Sequence, residues 1–296
     1  MYSCSIGMAL KWFADRRGLA AGILAAGFGG GTALFVPIIA SIIETRGYQA
    51  AFIASGLVQG VAILIVAQFL RHPSDTNPAP RRTVGAPSDR RQFTTLEMLR
   101  SPRFYTLYVM FVLMAAGGLL VTANAGPMAR AWGLSTGALT LAATLSPIAN
   151  GASRIFWGWM SDRAGREPIM IVSFALQAIC LCLVVLVGGR STLSFTVTLV
   201  LVYFTWGQIF SVFPAIAGDY FGNRYATSNY AVLYTAKGIA SIIGGWLGAL
   251  LFEYSGGWTA GFYGSAAMAA AAAGLAVRLR AANALSDRLA RVAVPR

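Results

Sequence analysis

Two basic residues, Arg154 and Lys237, stand where charge is costly. Lys237 interrupts "YAVLYTAKGIASIIGGWLGALL", residues 230–251, 13 positions after Arg224 and 16 before Glu253. At a helical rise of about 1.5 Å per residue it falls near the middle of a span. A lysine or arginine there costs about 2.5–3.5 kcal/mol on insertion scales. Arg154 lies eight residues before Asp162, about 12 Å from that end of its helix. None of the ten acidic residues lies deep in an apolar run; Asp219 and Glu253 are at the ends of such runs. A cationic cavity that binds a small anion accounts for this. The competing account is that Lys237 snorkels, or pairs with a carboxylate from helices this sequence does not contain.

Helical spacing groups neighbours around the two cations. Tyr230, Tyr234, Lys237 and Ser241 share one face, at steps of 4, 3 and 4. Pro147, Asn150, Gly151, Arg154 and Trp157 share another, and Trp206 and Phe210 are one turn apart on a third helix. An aromatic box around two positive charges suits a small planar carboxylate: the charges neutralise it and the rings limit its size. The expected binding residues are therefore Lys237, Arg154, Tyr234, Trp206, Asn150, Phe210 and Tyr230. For the aromatic members, contact with other helices or with lipid is the alternative. No catalytic residue, metal or cofactor is expected, because the apolar runs hold no cluster of His, Asp or Glu and no nucleophile–base pair. Cys180 and Cys182 read as small packing residues, Cys4 is isolated, and His72 borders a Pro-rich loop.

The elements that must position these residues are membrane spans. The chain is 57% hydrophobic and 11% charged, against about a quarter charged in soluble domains. Eight segments have the length and apolarity of a span, near 18–43, 49–70, 104–126, 136–160, 168–188, 193–218, 228–252 and 258–279. Residues 71–103, rich in Pro, Ser and Arg, read as a mostly irregular soluble link. Alternate loops and the C-terminal tail carry 18 Lys and Arg, and the opposite loops only Arg46, Arg130 and Arg190. By the positive-inside rule the link and the C-terminus are cytoplasmic, in a multi-pass protein of the inner or plasma membrane. The same distribution explains the +13 net charge without nucleic acid. The expected divisions are 1–70, a remnant of an N-terminal bundle; 71–103, the central loop; 104–279, a six-helix bundle; and 280–296, a cytoplasmic tail.

An internal repeat supports those divisions. "FADRRGLAAGILAAGFGGG" (13–31) aligns with "FGNRYATSNYAVLYTAKGI" (221–239), setting Arg16 opposite Arg224 and Gly29 opposite Lys237; "YQAAF" (48–52) aligns with "WTAGF" (258–262). A repeat in the same orientation implies halves related by an axis along the membrane normal. The second half has six helices and the first only two, so about four helices are expected to precede, with "MYSCSIGMAL" as the tail of the last. Gly27, Gly29, Gly30, Gly31 and Pro37 thin one repeated helix, and Gly238, Gly244, Gly245 and Gly248 thin its partner. Sliding of helices and ordinary tight packing explain these glycines equally well.

"GWMSDRAGR", residues 158–166, matches the G-x-x-x-D-R-x-G-R pattern of the major facilitator superfamily, which the chain resembles. Gly158 would allow close helix approach, Asp162 would cap an adjoining helix, and Arg163 and Arg166 would sit at the headgroups; with Gly165 they form the conformational loop motif. Within that superfamily, "KWFADRRGLAAGILAAGFG" is similar to the signature of the oxalate:formate antiporter group, neighbours of the monocarboxylate porters. The resemblance implies an all-α membrane bundle, here helices 5–12 of twelve, with Arg154 and Lys237 at that group's anion-binding positions. Proton-coupled monocarboxylate porters commonly have an aspartate one turn before the arginine. Here it is Asn150, which cannot titrate, so exchange is favoured. The expected function is alternating-access transport of small organic anions of the oxalate or formate kind. Two alternatives stand beside it: proton-coupled monocarboxylate transport, and a truncated membrane protein that does not transport. The missing helices are expected to be needed for a complete cavity, so these 296 residues alone are not expected to transport.

Overall fold

In the computed structural model, which describes residues 2–69 and 92–292, every regular element is helical. For residues 32–34, 36, 37, 247 and 286–292 only the backbone is described. The elements are α1 (Tyr2–Trp12), α2 (Arg17–Ala67), α3 (Thr95–Leu99), α4 (Pro102–Ala131), α5 (Thr136–Ala164), α6 (Arg166–Val187), α7 (Thr192–Trp206), α8 (Ile209–Phe221), α9 (Ala226–Tyr234), α10 (Ala236–Ile242), α11 (Gly248–Ser255) and α12 (Thr259–Val292). Among the described residues, six helical stretches are long and apolar enough to cross a membrane. α5 has the length but not the same apolarity: Ser146, Asn150, Ser153 and Arg154 lower it, and all four are buried within the bundle.

The helices follow the expected spans, with informative breaks. α2 covers two of them, parted at Gly47, whose φ of 81° is open to glycine without strain. α7 and α8 form one rod bent at Gly207–Gln208, where the amide of Phe210 bonds the carbonyl of Gly207 three residues back. The span around Lys237 is the least regular, passing from α9 through Thr235 into α10, then through a wide π turn at Ile243–Leu247 into α11. π turns of this kind recur at functional sites.

Helix reaches into two of the segments outside the expected spans. α12 continues as helix through Val292, well into the segment read as a tail. The link is irregular at 92–94 but includes α3, held by a capping box in which Thr94 and Glu97 satisfy each other's backbone amides at 2.8 and 3.3 Å. Residues 70–91, with His72 and most of the link, lie outside the described residues.

Burial is graded across the bundle. Within Thr192–Phe221 an 18-residue apolar window is 78% buried, whereas that of Ile38–Ala67 is 6% buried and this helix exposes Phe52, Leu57 and Leu64. An apolar outer surface is what lipid requires of a spanning helix. The core runs from α1 through α5 and α8 to α9, with Phe213 stacked between Phe111 and Phe174 at 4.7 and 6.2 Å.

Candidate functional site

Arg154 and Lys237 come together on one ring. The Arg154 guanidinium carbon lies 4.3 Å from the centroid of Phe210, and Lys237 Nζ lies 5.3 Å from the same centroid. The two charges are therefore no farther apart than those distances combined. Lys237 Nζ also sits 5.6 Å from the Tyr234 ring and donates a long hydrogen bond, 3.4 Å, to its hydroxyl. Among the described residues neither cation has a carboxylate partner.

Local sequence explains how each group arrives. Gly207 brings the bend of α7–α8 against α5: a Cβ there would fall 2.0 Å from Ser153 Oγ and 2.7 Å from the Asn150 carbonyl oxygen. That approach sets Phe210 beside Arg154. Arg154 is 8% exposed. It donates through Nε (3.1 Å) and Nη2 (2.7 Å) to Asn150 Oδ1, and through Nη1 to the carbonyl of Ala25 on α2. Asn150 Nδ2 in turn donates to the Tyr203 carbonyl at 3.1 Å. The amide of Asn150 is thus committed to holding the arginine. Among the described residues three of the five guanidinium N–H groups are used, which leaves one on each terminal nitrogen.

The other expected residues divide. Tyr234 touches Lys237 and the rings of Phe210 and Phe111. Tyr230 lies behind it, fully buried, 5.7 Å between ring centroids. Trp206 meets Phe210 edge-on at 5.5 Å, but its indole rests on Gly118, where a Cβ would lie 2.1 Å from the ring, and its Nε1 has no hydrogen-bond partner. Ser241 donates to the Lys237 carbonyl and is exposed; Trp157 donates to the Phe204 carbonyl on α7.

Sequence reasoning missed Tyr2. Its ring packs on Tyr234 at 5.0 Å and on Phe28 at 4.8 Å, and its hydroxyl donates to the Phe210 carbonyl at 3.2 Å. The signal was present in Pro214: four residues after Phe210 it has no N–H to offer, so that carbonyl needs another donor.

A second cluster lies at the end of the bundle where α5 meets α6. Asp162 accepts from the backbone amides of Gly18 (2.9 Å) and Leu19 (2.8 Å), capping α2. Arg166 pairs with Asp162 at 2.6 Å and with Asp219 at 2.9 Å, and Asp219 also holds Arg17. Gly165, at φ 95°, makes the turn between the helices, and Arg163 lies 3.8 Å from the Trp159 centroid. Gly158 crosses α2 at Gly18, where a Cβ would lie 2.2 Å from the Gly18 oxygen. Gly18 and Gly22 were not anticipated as packing glycines. Gly27, Gly30, Gly31, Gly238 and Gly245, expected to thin their helices for sliding or for packing, each leave a Cβ with nothing within 4 Å. Gly244 and Gly248 do pack, against α4.

Comparison with known proteins adds lineage to this geometry. The profile described as Major Facilitator Superfamily matches residues 1–125 and 107–288. An oxalate:formate antiporter of Oxalobacter formigenes is 37% identical over 262 residues, covering 88% of this chain and 62% of the relative. An uncharacterized MFS-type transporter of Escherichia coli is 26% identical over 244 residues, covering 81% and 59%. Monocarboxylate transporter 12-B of Danio rerio is 22% identical over 290 residues, covering 88% and 60%. The chain thus spans about three fifths of the length of these relatives.

Proposed function

Because the chain belongs to the major facilitator superfamily, a family of multi-pass membrane carriers rather than enzymes, we propose that it is part or all of a secondary transporter for small organic anions, with Arg154 and Lys237 as the substrate's counter-charges. The observation that carries this reading is the shared ring: two cations meet on Phe210, and among the described residues neither pairs with a carboxylate. Like charges about 10 Å apart repel by roughly 1–2 kcal/mol at an effective dielectric near 20. An anion between them removes that repulsion and supplies the missing partner. Monocarboxylates and short dicarboxylates of the oxalate and formate kind match the charge and the aromatic walls of Tyr2, Phe210 and Tyr234.

Exchange is the proposed mode. The position one turn before Arg154 is Asn150, an amide whose oxygen and nitrogen are both engaged, so that position supplies no proton carrier beside the guanidinium. The Arg-rich ends of α5 and α12 are placed in the cytoplasm on the distribution of basic residues. The domain limits at 1–70, 71–103 and 104–279, and the need for further helices to close the cavity, belong to this proposal too; the repeat and the three-fifths coverage support them.

Binding of labelled oxalate to the purified chain in lipid nanodiscs tests the reading. Saturable binding that Lys237→Ala and Arg154→Gln each weaken by about a hundredfold is the expected outcome. Binding that ignores both substitutions would mean the anion sits elsewhere.

A further inference from the structure

Arg154 is held by more than its hydrogen bonds. A Cβ built on Gly29 would stand 3.0 Å from Cζ, 3.1 Å from Nη1 and 3.2 Å from Nη2. The central carbon is the nearest of the three, so Gly29 approaches the guanidinium from above its plane; an edge-on approach would reach the nitrogens first. The group therefore lies with one face on the α2 backbone. One turn earlier on α2, the Ala25 carbonyl takes its Nη1. The Phe210 ring is 4.3 Å away and Asn150 occupies the Nε side. One N–H on each terminal nitrogen, both in the guanidinium plane, is left without a hydrogen bond to the described residues.

We propose that Gly29 is a positioning residue for this anion site: its missing side chain lets the Arg154 guanidinium seat flat on α2, presenting its two uncommitted N–H groups in one plane to a flat carboxylate. The inference rests on the transporter reading above and refines it, since it assigns the substrate a planar, sp2 oxyanion group coplanar with the guanidinium. It also gives the internal repeat a chemical sense. Gly29 aligns with Lys237: one copy of the repeated helix delivers a cation from its own side chain, and the other leaves a gap that receives a cation from α5. Gly30, next in sequence, faces open space, so glycine content alone does not account for position 29.

A methyl group at Gly29 is tighter against Cζ than ordinary contacts allow, so the guanidinium must shift by a few tenths of an ångström or tilt. The test is labelled-oxalate binding to the full chain in nanodiscs, with the thermal unfolding midpoint recorded for each variant. Gly29→Ala is expected to weaken binding about tenfold while its midpoint stays within a couple of degrees of wild type; Gly30→Ala is expected to change neither. On an Arg154→Lys background, where no planar group has to fit, Gly29→Ala is expected to leave the residual affinity within twofold. Wild-type affinity in Gly29→Ala, or equal losses in Gly29→Ala and Gly30→Ala, or a loss that tracks a lowered midpoint, would overturn the positioning role. Those outcomes leave the site itself standing if Arg154→Gln still weakens binding by about a hundredfold. Oxalate binding indifferent to Arg154→Gln, or absent from wild type, would overturn the site reading and this inference together.

Discussion

At the scale of single residues, the candidate site sets two cations on one ring with no carboxylate partner among the described residues. That arrangement is easily altered at Asn150. In Asn150→Asp, the introduced carboxylate meets the Nε–Nη2 edge of Arg154 at hydrogen-bond distance and neutralises it, so oxalate affinity at neutral pH is expected to fall at least tenfold. Binding isotherms of wild type and Asn150→Asp at neutral pH decide it. Phe210→Leu is expected to keep the helix but remove the ring that both cations share, weakening binding several-fold. Most of these residues were legible from spacing, because helical periodicity sets Asn150 one turn from Arg154 and Trp206 one turn from Phe210. Tyr2 was not, because its role depends on a carbonyl left free by a proline in a distant helix.

Among elements, the crossing of α2 and α5 carries the site. Gly18, Gly22 and Gly29 recur along one stripe of α2 and meet Gly158, the Arg154 backbone and the Arg154 side chain in turn. Gly158→Ala would place a methyl 2.2 Å from a backbone oxygen that cannot rotate away, so a loss of about 1–3 kcal/mol in unfolding free energy is expected in detergent. Gly27→Ala faces open space and should be neutral or slightly stabilising, by up to about 1 kcal/mol from helix propensity alone. Sequence counts glycines but does not say which face a helix turns to its neighbour. That is why Gly27, Gly30 and Gly31 were singled out and Gly18 and Gly22 passed over.

For the molecule as a whole, Asp162, Arg166, Asp219 and Arg17 tie α2, α5, α6 and α8 together at one end. Asp219→Asn removes the charge that faces both arginines and is expected to loosen that end, read as faster amide exchange in the first turn of α2. Orientation has its own test. In a cysteine-free chain, an impermeant maleimide added to intact cells should label Thr136→Cys, at the start of α5, and spare Ala164→Cys, at its end; the reverse pattern would invert the proposed topology. Sequence by itself determined the class of the molecule: apolar runs long enough to span a bilayer, cations isolated within two of them, the repeat, and the loop motif whose Asp162 was expected to cap a neighbouring helix. These are local or periodic properties, and the energetics of lipid and of the helix period fix them chain segment by chain segment. Tertiary structure alone decided that Arg154 and Lys237 share Phe210, that Asn150 bonds the arginine instead of facing open space, that Tyr2 packs on Tyr234 and bonds the Phe210 carbonyl, and that Gly29 lies against the guanidinium. Each of those depends on how two helices far apart in sequence cross, and crossing geometry is set by side-chain shape at the contact, which no one-dimensional pattern encodes.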